Sequence, residues 1–285
     1  MIVISTISTK GGVGKTTLSA NLGSILADFG YRVLVVDADI QPSMSKYFPL
    51  KKISKNGLTH VIEHGVIDDD SISTTDLNLV SGVLDIIRSD SPDGSLNNFL
   101  ISQVDRGFRL AKAINCPFVN ENYDVVLIDT PGSVGALLDA AILASTHLIS
   151  PVVPETLSAR EFVTGTIDLM KRFEIFSSMG IKIPVIKAVL YRQDRTNDAK
   201  SVAQSIRTAY FELSGRAEVL NTVIPKAKAY TEATTRQVPV HQHDVVSINQ
   251  SPSACDIMHQ LAYELFPNLD GLIAGKIDDS EVNHG

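Results

Sequence analysis

Short runs of β-branched and aliphatic residues recur along the chain, separated by stretches whose apolar residues fall every three or four positions. Residues 2–7, 31–37, 77–81, 124–129, 147–153, 184–190 and 218–224 read as strands. Most are near-continuous apolar runs, which suits strands buried on both faces of a parallel sheet. Between them, Leu18, Leu22, Ile25, Leu26 and Phe29 share one helical face, and Gly30 closes that helix. Further helices are predicted over 156–176, 198–213 and 253–265, the last begun by Pro252. Strand–helix alternation predicts βαβ units and an α/β fold, a doubly wound, mostly parallel sheet with helices on both faces. The polar segment 89–98 reads as a loop rather than a linker, so residues 1–268 form one domain. The polar, acidic stretch 269–285 reads as a disordered tail.

Composition narrows the function little. The chain has 285 residues, 44% hydrophobic, 20% charged, with no Trp and a net charge of −7. That balance argues against a surface basic all over, but not against a local basic patch. Cys116 and Cys255 lie far apart without CxxC spacing, which excludes a disulfide framework and a zinc site and leaves two reduced thiols. His241 and His243, without further ligands nearby, read as surface residues. The apolar opening runs into a glycine loop with no basic segment before it, and no run is long enough to span a bilayer. The expectation is a cytoplasmic protein without membrane partners.

The chemistry sits after the first strand. Lys10, Gly11, Gly12, Val13, Gly14, Lys15, Thr16 and Thr17 link a strand to a helix, as a phosphate-binding loop requires. Glycines let backbone N–H groups turn toward phosphates, and the helix N-terminus adds partial positive charge. Lys15 would reach the β- and γ-phosphates, and the Thr16 hydroxyl would ligate Mg²⁺. The second strand ends in Asp37-Ala38-Asp39-Ile40-Gln41 and the fourth in Asp129-Thr130-Pro131-Gly132. Ligands of open α/β sheets bind at these strand ends, so the carboxylates should converge on the loop. Asp139 reads as a helix-cap or turn residue.

The ordinary loop has glycine where this chain has Thr9, and Lys10 precedes the glycine pair. This KGGxGK[ST] pattern resembles the deviant Walker A signature of the ParA/MinD ATPase family, which includes the nitrogenase iron protein. Residues 37–41 resemble the family's DxDPQ motif, with Ile40 for its proline. Residues 151–156 resemble its strand-five segment, and 222–240 resemble the Soj-type stretch TVIPRNxxxxEAxxxGxPV. Likeness thus runs from residue 2 to about 266. The resemblance implies an ATP- and Mg²⁺-dependent homodimer in which Lys10 touches the nucleotide of the other subunit. Asp129 would hold the Mg²⁺ shell, Asp39 the attacking water, and the loop at Pro225 the adenine. Where the family often has an adenine-reading Asn, this chain has Tyr191-Arg192.

For Soj-like proteins the resemblance further implies non-specific double-stranded DNA binding, here through Arg192, Lys226, Lys228 and Arg236. A ParB-like centromere-binding partner would stimulate a weak ATPase, on the nucleoid, during plasmid or chromosome segregation. Residues 187–236 carry nine Lys/Arg against five Asp/Glu, in a chain that is acidic as a whole. Doubling that surface in a dimer would raise affinity steeply. The start so near the loop reads as lacking the N-terminal helix-turn-helix of larger ParA proteins. A MinD-like membrane helix does not fit the acidic tail, and cluster cysteines of the iron-protein or metal-scaffold type are missing from the motifs. A dethiobiotin-synthetase-like enzyme lacks the Lys10 signature. A ParA relative positioning a non-DNA cargo stays open.

Overall fold

The computed structural model describes residues 1–213, 215–247 and 251–275, the side chains of 156–160 excepted. The strands are β1 (Ile2–Thr6), β2 (Arg32–Asp37), β3 (Leu50–Lys52), β4 (Ser73–Thr75), β5 (Val83–Ile87), β6 (Val125–Asp129), β7 (His147–Val152), β8 (Ile186–Gln193) and β9 (Ala217–Pro225). The helices are α1 (Lys15–Asp28), α2 (Leu58–His64), α3 (Ser95–Ser102), α4 (Arg109–Ile114), α5 (Pro117–Asn122), α6 (Ala136–Ala144), α7 (Thr156–Ser178), α8 (Asn197–Phe211), α9 (Lys228–Arg236), α10 (Val240–His243) and α11 (Ala254–Leu265).

All nine strands form one sheet in the order β3-β4-β5-β2-β6-β1-β7-β8-β9. Pairing is parallel from β5 to β9 and antiparallel only at the β3–β4–β5 edge. Alternation along each strand feeds two faces. Val33 and Val35 of β2 and Val125 and Leu127 of β6 pack with α1 and α11. Leu34, Val36, Val126 and Ile128 point the other way, into α2, α4 and α6. On that second side, Leu148, Ala188 and Leu190 continue the core under α7 and α8. Each fully buried aliphatic side chain contributes about 2 kcal/mol, and the core is aliphatic, as the missing Trp requires. The chain crosses to opposite sides of β1 before β2 and before β7, so the strand order reverses there and opens a crevice at the strands' carboxyl ends.

Three expectations need correction. Residues 77–81 are not a strand, and the strand beside β2 is β5. Leu77 and Leu79 pack half-buried against the core from a loop and so mimic a strand's apolar signal. The segment 89–98 is not all loop, because α3 begins at Ser95, its backbone N–H donating to Asp93 Oδ1 at 3.1 Å. His241 is buried, its Nε2 2.7 Å from Asp28 Oδ2. The helices expected at 156–176, 198–213 and 253–265 are present. The last opens with a capping box between Ser253 and Asp256. Gly30 follows α1 with φ 95, the left-handed position that glycine takes cheaply.

Past residue 268 the chain stays packed. Leu269 is buried, Ala274 N donates to His259 Nε2 at 3.0 Å, and Gly275 N donates to Asp28 O at 2.8 Å. The rest of the expected tail, 276–285, lies outside the described residues. Both cysteines are free thiols. Among the described residues no helix is long and apolar enough to cross a membrane.

The loop before β5 makes the tightest backbone approach. A Cβ at Gly82 would sit 2.1 Å from the Ala27 carbonyl oxygen and 2.5 Å from that of Tyr31. The first accepts from Gly30 N at the end of α1 and the second from Val83 N, so neither can move without breaking a backbone hydrogen bond. Gly82→Ala is therefore expected to destabilise the fold by about 2 kcal/mol or more in chemical denaturation. A wild-type midpoint would refute this packing.

Candidate functional site

The loop between β1 and α1 takes the shape its glycines permit. Gly12 and Gly14 adopt φ 74 and 99. Gly14 caps α1 with no side-chain hydrogen bond, and no acid occupies the first turn. The helix's first N–H groups are thus left for an anion, with the macrodipole behind them. Gly132, in the loop after β6, lies against this turn: a Cβ there would be 2.8 Å from Gly11 Cα.

The strand ends deliver the carboxylates as expected. Asp37 and Asp129 are direct partners in the β2–β6 register, and both are fully buried. Asp129 Oδ1 accepts from Ser19 Oγ at 3.1 Å, and the Thr16 side chain lies beside the carboxylate. Its Oδ2 has no hydrogen-bond partner among the described residues. Burial pushes Asp129 up to about 7, against the pull of Thr16, Lys15 and Ser19. Burial likewise pushes Asp37 up to about 6, although Ser45 donates to it through both Oγ, at 2.6 Å, and its backbone N–H, at 2.7 Å. Burial lowers the Lys15 ammonium, and the charges of Asp129 and Asp39 hold it up. Asp39 stands at the cleft wall, with Oδ1 accepting from Gln41 N at 3.0 Å and its carbonyl accepting from Ser89 Oγ at 2.7 Å.

These groups fit a hard divalent cation. Thr16 offers a hydroxyl, Asp129 a buried and unpartnered oxygen, and Asp39 a nearby carboxylate. Among the described residues no group of three or more His, Cys, Asp or Glu could hold a metal. Mg²⁺ keeps waters and takes phosphate oxygens, so it does not require a full protein cage.

The cleft above has a volume of about 1490 Å³, larger than most small-molecule sites. Its walls are the phosphate loop, the Asp39–Tyr47 segment, Pro131 to Ser133, Tyr191, Arg192, Asp194, the Pro225 turn and α9. Pro225 thus lines the same cleft as the phosphate loop. Arg192, Lys226 and Lys228 also line this cleft, whereas exposed Arg236 does not. Lys226 pairs with Asp194 at 3.3 Å, Lys187 with Glu218 at 3.7 Å and Arg216 with Glu174 at 2.9 Å. The basic stretch is thus partly neutralised by its own carboxylates.

Lys10 is not among the residues that line the cleft. Its Nζ is 2.7 Å from Glu161 Oε2 on α7, and one turn on, Gly165 lets Thr9 pack against the helix. Asp139 is neither cap nor turn residue: Gly135 caps α6, and Asp139 lies in the helix's first turn and pairs with Arg172. Sequence reasoning missed Glu161, Ser45 and Tyr47. Ser45 and Tyr47 carry no motif, and Glu161 is far away in sequence. At the glycine position of the Soj-type stretch stands Gln237, with φ 55, and its Nε2 donates to Lys46 O at 3.3 Å.

The two raised carboxylates make stability depend on pH. Between about pH 4 and 7 the folded state holds protons that an unfolded chain has released. Their contribution is complete below the ordinary carboxylate range and is lost as pH rises through about 6 to 7. In thermal melts without metal or nucleotide, Asp129→Asn is expected to flatten this slope. At pH 8 it should raise the midpoint by about 5 °C. An unchanged slope would contradict the burial argument.

Comparison with known proteins agrees with this geometry. A family model described as an AAA domain matches residues 1–182. Soj, the sporulation initiation inhibitor protein of Bacillus subtilis strain 168, is 31% identical over 247 residues, covering 85% of this chain and 91% of Soj. The chromosome partitioning protein ParA of Caulobacter vibrioides is 29% identical, covering 85% and 87%. Among solved structures, Cyanothece McdA in an ATP complex superposes with a TM-score of 0.74 at 19% identity, over 93% of this chain and 96% of that one. At that identity the likeness speaks for the fold alone. The match to Soj holds 31% identity along most of both proteins, so the chain belongs to the ParA/Soj family of partition ATPases.

Proposed function

We propose that this chain is an ATP hydrolase that segregates plasmid or chromosomal DNA, switching between nucleotide states as an ATP-sandwich homodimer. The observation that carries this reading is the buried, unpartnered oxygen of Asp129 beside Thr16 and a phosphate loop in binding shape. Phosphoryl transfer asks a protein mainly for positioning and charge neutralisation. Lys15 and the loop N–H groups would hold the β- and γ-phosphates, and Thr16 with the Asp129 shell would hold Mg²⁺. Asp39 would orient the attacking water, and Lys10 would reach the nucleotide of the second copy. The dimer would bind duplex DNA without sequence preference, through Lys228, Arg236 and neighbouring cations, in the cytoplasm at the nucleoid. A ParB-like, centromere-bound partner would accelerate the weak intrinsic hydrolysis.

A second reading, a ParA-related or MinD-like ATPase positioning a non-DNA cargo, draws on the ion pairs that occupy Lys187, Arg216 and Lys226. Binding to random-sequence duplex DNA separates the two. The expected result is binding with ATP that is lost with ADP or without nucleotide, and that weakens steeply with salt. No DNA binding in any state would favour the second reading. Lys15→Ala is expected to abolish nucleotide binding. Lys10→Ala should keep it and lose hydrolysis, and an undiminished rate would remove Lys10 from the mechanism.

A further inference from the structure

We propose that Tyr47 and Tyr191 are positioning residues, gripping Thr17 from two sides and so fixing the phosphate loop in its binding shape. The inference rests on reading the cleft as an ATP site. Tyr191 stands at the end of β8, where the register against β9 shifts between Tyr191 and Gln193. At that irregularity Arg192 takes φ 55, a left-handed conformation that is strained for a residue with a side chain. Irregularities of this kind re-aim a neighbouring side chain. The Tyr191 ring lies hard against the loop, since a Cβ at Gly14 would fall 2.1 Å from its Cε1.

Tyr47 comes from the opposite wall, eight residues beyond Asp39. Its hydroxyl accepts from Asn21 Nδ2 at 3.2 Å and shares a hydrogen bond with Thr234 Oγ1 at 2.8 Å. Asn21 Nδ2 also donates to the Thr17 carbonyl at 2.8 Å, and the Thr17 side chain lies beside both phenols. Burial pushes both phenols above their ordinary range, so each keeps its proton at neutral pH. Packing alone would be served by phenylalanine, because a buried hydroxyl is costly unless it is bonded. Thr17 directly follows Thr16, so the grip is passed to the hydroxyl that would meet the metal. Ser45, two residues before Tyr47, holds Asp37. One short turn therefore touches the buried Asp37 and, through Asn21, the first turn of α1.

The test compares full-length wild type with Tyr47→Phe, Tyr191→Phe, the double variant and Tyr210→Phe. Tyr210 is the control: it is equally buried, and its hydroxyl bonds to Thr166 Oγ1 at 2.9 Å in the core between α7 and α8, outside the cleft. ATP–Mg²⁺ affinity is measured by calorimetry, alongside KM, kcat and the melting temperature. Losing two hydroxyl contacts is expected to weaken ATP binding and raise KM by about tenfold, with kcat changed by about threefold or less. Tyr210→Phe is expected to lower the melting temperature while keeping wild-type affinity. Wild-type ATP affinity in the double variant would overturn the proposal, as would an equal loss in Tyr210→Phe. A wild-type chain that binds no ATP would overturn the nucleotide reading and the proposal together.

Discussion

The cleft depends on one strand register. β6 lies between β1 and β2, and its pairing with β2 sets Asp129 directly beside Asp37 at the strand ends. Two carboxylates are thereby taken out of water next to a buried lysine, an arrangement that is unfavourable until counter-charge arrives. Neighbouring contacts reduce that cost. Ser45 saturates one oxygen of Asp37, Ser19 and Thr16 serve Asp129, and Lys15 sits between Asp129 and Asp39. What remains unsatisfied, Asp129 Oδ2, lies beside the loop whose glycines expose helix N–H groups. Sites for anion and cation are thus built from the same shortage of partners.

Much of this was legible in the sequence because it is local. The phosphate loop and the strand-end aspartates each fit within a few residues, and a parallel sheet forces strand ends together. The central strands could be read from their apolar runs. The antiparallel edge could not, since β3 and β4 are three residues each and their neighbours Leu77 and Leu79 imitate a strand. The short helices α2 to α6 were missed for a related reason: several are only six or seven residues long, too short for a helical period to stand out. Long-range partners left no trace. Nothing near Lys10 announces Glu161, and Tyr191 read as a departure from the family pattern before its ring was found against Gly14.

The charge pattern shows what counting residues hides. A stretch rich in Lys and Arg looks like a ready surface for polyanions, yet several of its cations face their own carboxylates or the nucleotide cleft. Exposed ion pairs of this kind are worth little, about 1 kcal/mol or less, and are easily exchanged. They set a threshold rather than a barrier: a dense array of phosphates can displace them, and a sparse one cannot.

The missing tryptophan has an optical consequence. With no indole to collect their excitation energy, the seven tyrosines emit on their own account. Three of them, Tyr47, Tyr191 and Tyr230, border the cleft, and the rings of Tyr191 and Tyr230 meet edge to face at 6.5 Å. Part of the chain's ultraviolet emission therefore arises at the nucleotide cleft, and an unlabelled molecule carries its own reporter there.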